Sequence, residues 1–101
     1  YYPTWLRGKS YTALMFWAEA VKKAGTTDVQ AVIKAWEGLS YDGPGGVWTM
    51  RACDHQAQVP YWYVEIVKDN KFFKHAFEGP STMIPANEVT VPCEETGCKM
   101  K

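Results

Sequence analysis

Two runs of apolar residues recur at helical spacing on either side of Gly25, and they constrain the fold of this chain more than any other feature. Leu14, Trp17, Ala18 and Val21 fall at i, i+3, i+4 and i+7, and Val29, Val32, Ile33 and Trp36 repeat the pattern. That period predicts an amphipathic helix over 10–24 and a second ending at Gly38. Lys22 and Lys23 suit the negative end of the first helix, and Gly25 supplies its stop. Thr27 with Gln30 three residues on reads as a capping box opening the second helix. So short a connection implies a helix hairpin, with Trp17 and Trp36 on the packed faces.

The period changes after Gly38. Asp42-Gly43-Pro44-Gly45-Gly46 is a dense turn cluster, Val47-Trp48-Thr49-Met50-Arg51 reads as a strand, and 59–68 as a longer one with Pro60 confined to its start. Asp69-Asn70 marks a turn before a third strand candidate over 71–77, in which His75 reads as a solvated surface residue. An extended arm is expected beyond Gly79-Pro80.

Composition excludes several classes. A chain of 101 residues is expected to make one small domain, and its 47% hydrophobic content argues against disorder. The formal net charge of zero leaves no basic footprint for nucleic acid. The longest mainly apolar stretch, 13–21, contains Glu19 and is too short to span a bilayer. The chain opens on Tyr1-Tyr2-Pro3 without an initiator Met or signal peptide, so an N-terminal part is expected to have been removed.

Cys93 and Cys98 bracket a short loop in which Gly97 lets the chain turn back, and a disulfide between them is expected, which implies an oxidising compartment. The alternative is two free thiols on the tail. Two cysteines with a four-residue gap lack the second ligand pair that zinc needs, so no metal is expected. Cys53 reads as a small buried apolar group. Cys53-Asp54-His55 invites a nucleophile-and-base reading, but adjacent residues of an extended segment point to opposite faces, so no catalytic role is assigned. Asp54-His55-Gln56 reads as a turn in which Asp54 accepts backbone N–H bonds, with a part in lobe contact or gating as the other reading. Tyr1, Tyr2, Trp5 and Tyr11 form an aromatic group that can stack on a ligand or pack against other parts of a larger structure.

Taken in order, Tyr11-Thr12-Ala13, Glu19-Ala20 and Lys23-Ala24-Gly25, then Thr27-Asp28, Ala31-Val32, Ala35 and Glu37-Gly38, then Tyr41-Asp42-Gly43-Pro44-Gly45-Gly46, Met50-Arg51, Asp54-His55-Gln56 and Pro60, form an ordered set. Over 11–67 this set resembles the C-terminal part of periplasmic solute-binding proteins of the branched-chain amino acid ABC importer class. The resemblance implies an α/β fold, a C-terminal piece of a two-lobed structure. Residues 1–42 would be a helix pair of the first lobe, 43–50 an inter-lobe crossover, and 51–101 strands and tail of the second lobe. It implies a periplasmic or extracytoplasmic receptor that captures a small molecule (an amino acid, amide or aromatic acid) between its lobes and delivers it to an ABC transporter permease, with no chemistry and no cofactor. Trp5 and Tyr11 are then the candidate ligand residues, Asp54 and His55 the candidate hinge or lobe contacts. The remainder of its own polypeptide, or an intertwined oligomer, would cover the exposed faces. The competing class is an autonomous small α+β module that holds a protein partner on its aromatic β-face.

Overall fold

The computed structural model describes residues 4–69, 71, 74 and 76–100. Tyr1, Tyr2, the second half of the Asp69-Asn70 turn and His75 lie outside the described residues, as does part of the strand expected over 71–77. Helix α1 runs Trp5–Ala24 and α2 runs Val29–Trp36. The first helix starts five residues before the expected Ser10, because Thr4 is extended and its carbonyl already accepts the N–H groups of Arg7 and Gly8. Its end is as read from the sequence: Gly25 takes φ 67° and donates to the Val21 carbonyl at 2.9 Å. The cap of α2 lies one residue beyond the expected Thr27. Thr26 Oγ1 holds the Asp28 N–H, and the Asp28 carboxylate accepts from the Ala31 N–H at 3.0 Å.

The buried face of α1 corrects the sequence reading. Thr12, Phe16 and Ala20 face inward at i, i+4 and i+8, while Leu14 is 63% and Trp17 45% exposed. Trp36 therefore meets Phe16 in place of Trp17, edge-on with ring centroids 5.3 Å apart, and Phe16 also stacks on Tyr41 at 6.3 Å. The cause is close approach. A Cβ at Gly43 would lie 2.7 Å from the Thr12 side chain, so small side chains and a glycine mark where α1 lies on the strand below.

Strand β1 (Ser40–Gly43), whose last two residues read from the sequence as turn, pairs antiparallel with β2 (Gly46–Met50) around Pro44-Gly45, and β2 pairs with the short β3 (Ala57–Gln58). Residues 43–50, the expected crossover, are thus the turn and second strand of this hairpin. Ser40 and Thr49 share a hydroxyl hydrogen bond of 2.8 Å across the pair. Gly46, at φ 107°, leaves room for Pro60, whose ring a Cβ would meet at 2.8 Å.

A second sheet, sharing no strand with the first, joins β4 (Tyr61–Val67) to β5 (Phe77–Ile84) antiparallel. The arm expected beyond Gly79-Pro80 is therefore strand as far as Ile84. The register passes from Val64↔Ser81 to Ile66↔Glu78, so Gly79 and Pro80 bulge opposite Glu65 and the prolyl nitrogen is spared a ladder bond. A one-turn helix α3 (Ala86–Val89) and a 3₁₀ turn (Cys93–Glu95) follow.

The tail then returns to the first sheet. Cys93 is bonded to Cys53, 40 residues away, and Cys98 is the exposed free thiol. The expected Cys93–Cys98 bridge is thereby corrected, as is the reading of Cys53 as a free apolar group. Close spacing alone did not decide the pairing, because the chain after β5 lies against the 51–56 turn. Thiol counting on denatured, unreduced protein is expected to find one reactive cysteine, and peptide mapping to place the label on Cys98. Label on Cys53 would contradict the fold.

Candidate functional site

The N-terminal turns of α1, the Pro44-Gly45 turn and the second sheet enclose a cleft of about 430 Å³. Trp5 and Lys9 of α1, Trp48 and Pro60, and Trp62 and Glu78 of the second sheet are among the residues that line it. Elements far apart in sequence meet here: Trp62 Nε1, on the second sheet, donates to the carbonyl of Gly45 in the hairpin turn at 3.2 Å. Lys9 stands one helical turn after Trp5, with its ammonium 5.4 Å from the Trp5 ring centre and 5.1 Å from that of Tyr61. Of the two residues expected to bind ligand, Trp5 lines this cleft, whereas Tyr11 is half-exposed on α1 outside its lining. Lys9, Trp48, Trp62 and Glu78 were not singled out from the sequence; the signal available for Lys9 was its i+4 spacing from Trp5.

Asp54 and His55 lie elsewhere, in the turn between β2 and β3. Asp54 accepts the Gln56 N–H at 3.1 Å, as expected for such a turn, and its side chain, 1% exposed, forms a bidentate pair with Arg51. Arg51 donates its remaining Nη1 to the Val91 carbonyl at 2.6 Å, so one buried guanidinium joins the turn to the tail. His55, held at φ 54°, places Nε2 3.0 Å from Glu37 Oε1 at the end of α2. Cys53 is in the disulfide, Asp54 on Arg51 and His55 on Glu37, so the three adjacent side chains do not converge as a nucleophile and base.

The Arg51 hydrogen bonds hold the Asp54 carboxyl below its ordinary 3.8, against the opposing effect of burial. A carboxyl whose pKa is lowered by folding adds stability that is complete above its unfolded value and is lost as pH falls through the folded one. Urea midpoints at pH 7 and pH 3 should therefore differ more for the unaltered protein than for Asp54→Asn. Parallel losses in both would remove Asp54 as the source.

The family model described as periplasmic binding protein matches residues 1–71. The chain belongs to that family. A crystal structure titled as an ABC-type branched-chain amino acid transporter from Rhodopseudomonas palustris CGA009 is similar to it, at 29% sequence identity and a TM-score of 0.74, over 86% of this chain and 23% of that one. This periplasmic binding protein chain thus spans less than a quarter of that protein's length, and the fold expected from the resemblance is the one observed. A comparison with curated proteins gives no match.

Proposed function

We propose that these residues are the C-terminal part of an extracytoplasmic receptor that binds a small solute (an amino acid, amide or aromatic acid) between two lobes and hands it to an ABC transporter permease, without chemistry. The cleft carries this reading: it lies between two sheets that share no strand, and its walls combine aromatic faces with opposite charges. The helix pair of residues 1–42 belongs to the first lobe and strands β4 and β5 to the second. The passage between lobes begins in 43–50, where β2 leaves the Pro44-Gly45 turn at the cleft, and is completed at Val59-Pro60, where the chain changes sheets. The 51–56 turn, with Asp54 and His55, serves as a contact between lobes because the tail that follows β5 is fastened to it.

The autonomous-module alternative fits less well. The radius of gyration is 16.8 Å, against about 13 Å for a compact domain of 100 residues. Phe16, Ala20 and Val32 are the buried apolar residues among those described, while Leu6, Leu14 and Trp17 expose an apolar face of α1. In this reading the remainder of the polypeptide, or a second intertwined copy, covers that face.

The test is calorimetric titration of the complete polypeptide carrying these residues with amino acids, amides and aromatic acids. At least one should bind with 1:1 stoichiometry, raise the melting temperature, and bind more weakly to Trp5→Ala. Absence of binding by every solute, or binding indifferent to Trp5→Ala, would overturn the assignment.

A further inference from the structure

We infer that the cleft selects a carboxylate joined to a flat ring, with Lys9 taking the carboxylate and Trp5, Trp48 and Trp62 taking the ring; this rests on the receptor reading above. Three observations converge on it. Lys9 is a cation held between the faces of Trp5 and Tyr61, and among the described residues no carboxylate pairs with it. Its ammonium thus lies over two rings with no carboxylate partner among the described residues, and it lines the cleft. The start of α1 adds to the same field. Thr4 makes no side-chain cap and the first turn holds no acidic residue, so the positive end of a 20-residue helix meets the cleft at Thr4 and Trp5 uncancelled.

The walls supply the other half of the argument. Trp62 spends its N–H on the Gly45 carbonyl, which pins the indole across the gap between the sheets and leaves its faces for apolar contact. Trp5 is 67% exposed although it lines the cleft, so its ring has surface free to stack on a guest. The space of about 430 Å³ lies within the range of roughly 300–1,000 Å³ usual for small-ligand sites. A branched aliphatic side chain could fill part of this volume, but it has no flat face to lay against indoles.

Glu78 separates two sources of this chemistry. It lines the cleft and pairs with no cation among the described residues. An aromatic amino acid would bring its α-ammonium to Glu78, whereas a free aromatic acid would not.

The experiment titrates the complete polypeptide with benzoate, benzamide, L-phenylalanine and L-leucine, by calorimetry and tryptophan fluorescence. Benzoate or phenylalanine should bind at least about tenfold more tightly than leucine. Lys9→Gln, at an exposed helix position, should fold normally and weaken the ring acid roughly ten- to hundredfold, the range set by one charge-assisted hydrogen bond. The preference for benzoate over benzamide should disappear with it. Phenylalanine bound more tightly than benzoate, with that advantage lost in Glu78→Gln, identifies the amino acid as the source, whereas benzoate bound more tightly than phenylalanine identifies the free acid. Leucine binding as tightly as the ring acids, or ring-acid binding unchanged in Lys9→Gln, overturns the inference. Should none of the four bind while another solute does, this inference falls and the receptor reading stands; should no solute bind at all, the receptor reading falls.

Discussion

Phe16→Ala is expected to cost about 3–5 kcal/mol, the range for deleting a buried aromatic ring. Phe16 is 1% exposed and touches both the helix hairpin, through Trp36, and the sheet, through Tyr41. Its loss opens a cavity where three elements meet, and neighbouring Thr12 and Ala20 are too small to fill it. Net stabilities of only about 5–15 kcal/mol make such a loss large enough to abolish a cooperative transition. In the isolated 101-residue chain as a monomer, where the face holding Trp17 is uncovered, Trp17→Ala removes a bulkier ring that is 45% exposed and should cost less than about 1 kcal/mol. Urea unfolding of the two variants, followed by circular dichroism, gives the order directly. If Trp17→Ala proves the more damaging, α1 is rotated from the orientation described.

Why the sequence did not show this face is physical. Helix α1 carries Ala13, Leu14, Phe16, Trp17, Ala18, Ala20 and Val21, so apolar residues surround most of its girth and periodicity announces a helix without choosing a side. The buried row opens on Thr12, a polar residue whose hydroxyl is satisfied locally by donating to the Gly8 carbonyl at 2.9 Å. Helix ends were more legible, because Gly25 acts through its own backbone and needs no tertiary partner. Strand β1 was hidden for the opposite reason. Ser40-Tyr41-Asp42-Gly43 has turn-forming residues, and it becomes a strand only because Pro44-Gly45 folds it onto β2. The same limit applies to the cleft. Trp5 stood out as an aromatic ahead of a helix, but Trp62 and Glu78 acquire their meaning from a sheet register and from the bond to Gly45, neither of which local sequence encodes.

Cutting the Cys53–Cys93 bridge should have the second large effect. Closing a loop whose ends are 40 residues apart restricts the unfolded chain by about 4 kcal/mol in the loop-entropy account. The folded side adds a specific consequence. Once the bridge is gone, the tail is held to the 51–56 turn by the hydrogen bond from Arg51 to the Val91 carbonyl, while Arg51 keeps its bidentate partner Asp54. Cys93→Ser should therefore lower the urea midpoint strongly, and Cys53→Ser should match it. The double variant should add nothing further, because both substitutions remove one covalent link. Cys98→Ser, at an exposed position, should stay within about 0.5 kcal/mol of the unaltered protein. These four variants distinguish the observed bridge from the one expected within the tail. A bridge within the tail would make Cys98→Ser as damaging as Cys93→Ser and leave Cys53→Ser nearly silent. That pattern would detach the tail from the first sheet, and with it the lobe contact proposed for Asp54 and His55.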